Sequence, residues 1–193
     1  MATLLLVRHG ETDWNRENRF QGHADPPLND AGREQARELS ARLATEPLAA
    51  VVTSPLRRAL ETAAEVASTH ALPVQQEPGL REVDLGSWTG LTRDEVQQRD
   101  PEGYRRWLAY GHGWGDGESY EELGERVVAT LVELAGGRDG DMVAVVTHGG
   151  PIRAALAAAA GIPYGEARRD APPIDNCAVF RIAVRGPALT RID

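Results

Sequence analysis

Two short apolar runs constrain this chain more than any other feature. Residues 4–7 read Leu-Leu-Leu-Val, residues 143–146 read Val-Ala-Val-Val, and each run leads within two positions to a histidine followed by glycine, His9-Gly10 and His148-Gly149. Runs this short are buried strands rather than helices when turn-forming residues bound them, so residues 3–7 and 142–146 read as strands. Helical patterns alternate with them. Residues 30–44 carry Ala36, Leu39 and Leu43 at helical spacing, residues 49–53 form another short apolar run, and residues 56–68 place Leu60, Ala63, Ala64 and Ala67 on one face. Thr92 with Glu95 forms a capping box at the start of a helix. Pro101 opens a further helix with Tyr104 and Trp107, and residues 111–117, GHGWGDG, must be a loop. A second capping box, Ser119 with Glu122, precedes a helix with Tyr120, Leu123, Val127, Leu131 and Leu134 inward. Pro151 suits the first turn of a helix running to about residue 160, with Ile152, Leu156 and Ala159 inward. Residues 177–184 and 188–192 read as a closing hairpin or edge strands. This alternation predicts an α/β fold, a three-layer sandwich whose largely parallel central sheet has helices on both faces.

Length and composition narrow the function. A chain of 193 residues, 41% hydrophobic, suits one domain over 1–193 with a full core. The apolar start at residues 2–7 is cut by Arg8 and is too short for a signal peptide. No run reaches the length of a membrane span, so no membrane partner is expected. One cysteine, Cys177, allows no internal disulfide, and a reducing, cytoplasmic setting follows. A net charge of −8 argues against a nucleic-acid partner but leaves room for an anion in a local basic pocket. All 21 basic residues are arginine, so only the placement of an arginine carries information.

Placement is informative at the strand ends. Ligands of open α/β sheets bind beyond the carboxyl ends of the strands, and there the chain puts Arg8-His9-Gly10 and Thr147-His148-Gly149-Gly150. Glycine after each histidine would let a ligand approach the backbone, and the second site feeds a helix N-terminus that favours an anion. The third strand ends in Thr53-Ser54-Pro55, before a helix bearing Arg57 and Arg58. Two imidazoles with arginines suit a phosphate: a neutral histidine nitrogen can attack phosphorus while arginines stabilise its equatorial oxygens. A carboxylate must protonate the leaving alkoxide and later activate water. Glu82, in Leu80-Arg81-Glu82-Val83, is a candidate by position among 29 acidic residues.

These residues also resemble a known family. Arg8-His9-Gly10-Glu11-Thr12, with Trp14-Asn15, Gln21-Gly22, Asp25, Pro27-Leu28 and Gly32, resembles the opening signature of the histidine phosphatase superfamily in its phosphoglycerate-mutase-like branch. Ser54-Pro55-Leu56-Arg57-Arg58-Ala59, Leu80-Arg81-Glu82 with Gly86-Ser87-Trp88-Thr89-Gly90, Gly117-Glu118-Ser119 and Thr147-His148-Gly149-Gly150 are similar to its later motifs, in the family's order. The resemblance implies that His9 carries the phosphoryl group and that Glu82 is the proton donor and then the base. It implies that Arg8, Arg58 and His148 bind phosphate with Asn15 and the Gly149 amide, and that Gln21 and Gly22 sit near the pocket mouth. It implies neither metal nor cofactor, and a small phosphate ester as substrate. Arg58 is preferred to Arg57 because the family motif puts its arginine directly before the alanine; Arg57 can pair with Glu61 one turn on.

Other residues carry plainer expectations. His23, His70 and His112 read as surface or loop residues, with His23 and His112 near the mouth. Trp14, Trp88 and Trp114 read as packing, Cys177 as a buried small residue, and Arg105 and Arg106 as a solvated helix face from which one could reach a distal anion. Glu118 is a candidate for lining the pocket. A lid is expected at about residues 90–117. Three functions compete: a phosphomonoesterase, a 2,3-bisphosphoglycerate-dependent phosphoglycerate mutase, and a non-catalytic phospholigand-binding module. Family mutases carry Glu-Arg-His-Tyr-Gly where this chain has Glu82-Val83-Asp84-Leu85-Gly86, which favours the first. A monomer and a homodimer are both compatible with the sequence.

Overall fold

The computed structural model describes residues 1–193. Six strands form one sheet, β1 (Ala2–Arg8), β2 (Leu48–Thr53), β3 (Val74–Gln76), β4 (Met142–Thr147), β5 (Val179–Arg185) and β6 (Ala188–Arg191), in the spatial order β3-β2-β4-β1-β5-β6. The first four run parallel, and β5 and β6 add an antiparallel hairpin at the β1 side. The largely parallel sheet is thus as the sequence predicts; the three-residue edge strand β3, with only one half-buried apolar side chain, went unread because it carries no apolar run.

Eight α-helices and two short 3-10 turns, Pro78–Leu80 and Gly86–Trp88, complete the chain; the α-helices are α1 (Asp13–Arg16), α2 (Asp30–Leu43), α3 (Arg57–His70), α4 (Arg93–Arg99), α5 (Pro101–Leu108), α6 (Tyr120–Ala135), α7 (Gly149–Ala160) and α8 (Tyr164–Asp170). The period-2 alternation of the strands sorts their side chains into two cores. Leu5, Val7, Val51, Ala144 and Val146 pack against α2 and α3 through Leu39, Leu43, Ala59, Ala63 and Val66. Leu4, Leu6, Val52, Val143 and Val145 pack against α6 and α7 through Leu123, Val127, Leu131 and Ile152. These are the two outer layers of the sandwich. No helix is long and apolar enough to cross a membrane.

Both capping boxes form, Thr92 with Glu95 and Ser119 with Glu122. On α3 the buried face differs from the predicted one. Ala64 is exposed and Leu60 half-buried, whereas Arg58, Ala59, Thr62, Ala63, Val66 and Ala67 are buried. The face is rotated because Arg58, a charged residue, is itself part of it. Helices α1 and α8 were not anticipated: α1 is a single turn, and Tyr-Gly-Glu-Ala-Arg-Arg-Asp shows no apolar period.

Candidate active site

The carboxyl ends of β1, β2 and β4 lie at one edge of the sheet, because the three strands are parallel neighbours. Register does the rest. Arg8 pairs with Thr147 across the β1–β4 ladder, and the His9 amide donates to the Thr147 carbonyl at 3.0 Å. His9 and His148 therefore leave adjacent strands side by side, with ring centroids 5.2 Å apart. Both rings are buried, at 3% and 0% exposure.

The hydrogen bonds assign the His9 tautomer. Nδ1 lies 2.7 Å from the Gly10 carbonyl oxygen, which can only accept, so Nδ1 carries the proton and Nε2 keeps its lone pair. Burial, then the Arg58 and Arg8 guanidiniums, hold the His9 pKa well below the usual imidazole range. His148 is lowered well below that range by the same burial and by Arg58, His9 and Arg8. Its Nε2 sits 2.8 Å from the Ser54 hydroxyl at the end of β2. Asn176 donates to the His9 carbonyl at 2.9 Å, and the Thr62 hydroxyl accepts from the Gly10 amide at 3.0 Å while donating to the Arg58 carbonyl at 2.8 Å. The backbone around His9 is thus fastened from three elements.

Arg58 is fully buried, donating to the Ala24 carbonyl at 2.7 Å and the Gly22 carbonyl at 2.9 Å. Burial pulls its pKa down to about 10 against the attraction of Glu82, which leaves it charged at neutral pH. Arg8 donates to the Ile174 carbonyl and is likewise lowered, chiefly by burial. Arg8 Nε, Arg58 Nε, Gln21 Oε1 and His148 Nδ1 are buried without a hydrogen-bond partner. Two guanidinium N–H groups without partners, beside two imidazoles, have the chemistry to receive an oxyanion.

Glu82 faces this site. Its Oε1 accepts from the Val83 amide at 2.9 Å and from the Gly150 amide, near the start of α7, at 3.1 Å. A Cβ at Gly150 would lie 2.2 Å from that oxygen, so glycine there makes room for the carboxylate. Gly10 has a different role from the expected one: a Cβ would lie 2.5 Å from the Gly32 carbonyl oxygen, so it serves close packing onto α2 rather than ligand approach. Arg126 of α6 binds the carbonyls of Gly79 at 2.7 Å and Arg81 at 3.0 Å, and holds the Glu118 carboxylate with Nε at 2.7 Å and Nη2 at 2.6 Å. It secures the segment that carries Glu82.

The cleft above these groups has a volume of about 230 Å³ and is lined by Arg8, His9, Asn15, Gln21, Gly22, Arg58 and Glu82 from the predicted set. Of the predicted set, His148 and Gly149 do not line the cleft: His148 is fully buried beside His9, and Gly149 is the first residue of α7, whose N-terminus has no side-chain cap. The rest of the wall is Arg19, Phe20, Val83, Leu85, Trp107, Trp114, Tyr120, Gly150, Tyr164 and Arg168. Arg105 and Arg106 are exposed on α5, the solvated face expected of them, but neither reaches the cleft: Arg105 lies beside Glu102 and Arg106 turns back to the Gly113 carbonyl at 2.7 Å. Glu118 does not line the cleft either, because Arg126 takes it up. His23 bonds the Glu82 carbonyl through Nε2 at 2.8 Å. His112 packs on Trp114 and Tyr120. Arg57 pairs with Glu61 at 2.7 Å as expected.

The family model for the histidine phosphatase superfamily (branch 1) matches residues 4–190. The chain belongs to this superfamily. Phosphoserine phosphatase 1 of Hydrogenobacter thermophilus is 38% identical to this histidine phosphatase over 164 residues, 84% of this chain and 78% of that protein. Phosphoglycerate mutase-like protein 4 of Arabidopsis thaliana is 40% identical over 157 residues, 79% of this chain and 68% of that one. Among solved structures, YhfR of Bacillus stearothermophilus superposes with a TM-score of 0.92 at 35% identity, covering 99% of this chain and 95% of its own. Ser54, Thr62, Asn176 and Arg126 support the site without having been assigned a role from the sequence. Only Ser54 belongs to one of the family-like motifs; nothing in the local pattern marks the other three.

Proposed function

We propose that this histidine phosphatase hydrolyses small soluble phosphate monoesters through a phosphohistidine on His9. The observation that carries the proposal is the Nδ1–Gly10 bond of 2.7 Å, which leaves Nε2 as the neutral, unprotonated nitrogen beside Arg8 and Arg58. Nε2 attacks phosphorus, the ester P–O bond breaks, and the Glu82 carboxyl gives its proton to the leaving oxygen. The Glu82 carboxylate then takes a proton from water, whose oxygen attacks the same phosphorus. The P–N bond breaks, and His9 and inorganic phosphate are released. Arg8, Arg58 and His148 bind the equatorial oxygens, helped by Asn15 and the first amide of α7. Gln21 and Gly22 border the mouth.

A cleft of about 230 Å³ lies below the roughly 300–1,000 Å³ of drug-sized sites and suits an alcohol of a few carbons. The name of the Hydrogenobacter relative, a phosphoserine phosphatase, supports an ester of that size. We assign residues 90–117, which supply Trp107 and Trp114 to the wall, to a lid over a single domain. We place the enzyme in the cytoplasm, where its lone buried cysteine stays reduced.

The test compares wild type with His9→Ala on p-nitrophenyl phosphate, sugar phosphates and 3-phosphoglycerate, following free phosphate and 2-phosphoglycerate. Phosphate release that vanishes in the variant supports the proposal. Interconversion of phosphoglycerates faster than release makes the protein a mutase. Release that survives the substitution removes His9 from the chemistry.

A further inference from the structure

The cleft carries one positive charge more than phosphate binding uses. Four arginines line it, Arg8, Arg19, Arg58 and Arg168, against the single carboxylate of Glu82. Arg8 and Arg58 belong to the phosphate end. Arg19 is met by Glu17 at 3.0 Å and Glu95 at 3.4 Å. Arg168 forms no ion pair: the acidic residue nearest to it on the C-terminal side of its helix, Asp170, pairs with Arg169 at 2.7 Å.

Neutral groups alone hold Arg168. Its Nη1 donates to the Trp107 carbonyl at 2.6 Å, and its guanidinium lies 4.4 Å from the Trp107 ring centroid and 5.7 Å from that of Tyr110. Stacking on an aromatic face, one carbonyl bond and a hydrogen bond with the Tyr120 hydroxyl fix the plane of the guanidinium while leaving N–H donors over. Tyr120 and Tyr164, stacked with centroids 4.1 Å apart, stand in the same wall, within the electrostatic reach of both Glu82 and Arg168. The wall thus runs from the proton donor to a rigid, uncompensated cation. An apolar or neutral alcohol would leave that charge unmatched, whereas an alcohol bearing its own anion would meet it with charge-assisted hydrogen bonds.

We propose that Arg168 is a specificity-determining residue that binds a carboxylate on the alcohol portion of the phosphate ester, opposite the phosphate held by Arg8 and Arg58. The inference rests on the phosphomonoesterase reading above. It gives the anion-reaching role considered for Arg105 and Arg106 to an arginine on α8, which projects into the cleft where those two do not.

Two esters that differ in a carboxylate separate the possibilities, 3-phosphoglycerate and glycerol 3-phosphate. The readout is the ratio of their kcat/KM values in wild type, Arg168→Gln and Arg168→Lys, with kcat and KM resolved. In wild type the ratio favours 3-phosphoglycerate. In Arg168→Gln the ratio falls about tenfold to a hundredfold, the range expected for losing a hydrogen bond to a charged group, and the loss lies mainly in KM. Arg168→Lys restores part of the ratio because it keeps the charge without the planar fork. A wild-type ratio near one overturns the proposal. So does an equal loss on both esters, which would make Arg168 a strap between α5 and α8. If wild type releases phosphate from neither these esters nor p-nitrophenyl phosphate, the phosphatase reading fails and takes this inference with it. If release depends on His9 but the ratio ignores Arg168, only this inference fails.

Discussion

Acid should destabilise this protein through its two buried histidines. His9 and His148 are buried at 3% and 0% exposure and have pKa values held well below the imidazole range, chiefly by burial and then by the neighbouring arginines. In the folded chain both rings stay neutral as the pH falls below about 6.5, whereas in the unfolded chain both take up a proton there. The unfolded state then binds more protons than the folded one, so stability is complete above the ordinary imidazole pKa and declines below it. Each ring loses on the order of 1 kcal/mol between roughly pH 7.5 and pH 5.5, and the pair on the order of 2–3 kcal/mol. That is a large share of a total of roughly 5–15 kcal/mol. Both rings are out of solvent, so little of this is lost to screening. Urea unfolding at half-unit pH steps measures it, with the double variant His9→Gln/His148→Gln as the reference. Wild type should lose on the order of 2–3 kcal/mol more than the double variant across that window. Curves that run parallel for the two proteins would refute the claim that both histidines are neutral in the folded state.

Two further substitutions probe how Glu82 is held. Gly150→Ala would put a Cβ 2.2 Å from Glu82 Oε1, so the carboxyl must shift; kcat should fall by about a hundredfold, the scale of a misplacement near 1 Å, while thermal unfolding confirms an intact fold. Arg126→Met removes the donors to the Gly79 and Arg81 carbonyls and the partner of Glu118. It should cost about 1–3 kcal/mol in urea unfolding, given its partial exposure, and should lower kcat more than it raises KM.

How far the sequence could be read depended on whether a residue's partner was near it in the chain. Strands β1 and β4 were legible because their apolar runs are local signals, and the capping boxes Thr92–Glu95 and Ser119–Glu122 because both members lie within four residues. Arg8, His9, Asn15, Gln21, Gly22, Arg58 and Glu82 sit in motifs and do line one cleft. Thr62, Asn176 and Arg126 act on carbonyls or amides 45 to 167 positions away, and no spacing rule reaches that far. Helix α3 was misphased for the same reason: an arginine looks like a solvent-facing residue until the Gly22 and Ala24 carbonyls that receive it are known. Helix α8 lacks an apolar period altogether, so Tyr164 and Arg168 could not be placed in the cleft.

The two histidines are set by the ladder between β1 and β4, in which Arg8 faces Thr147. Nothing in residues 90–117 or in α8 takes part in that pairing. The parts that fix the two rings and the parts that wall the cleft are therefore separable: the sheet sets the imidazole pair, while α5, the glycine-rich loop and α8 supply Trp107, Trp114, Tyr164 and Arg168 as an exchangeable faceplate. Replacing the faceplate with that of another branch member should retune which ester enters and leave the distance between the rings as it is.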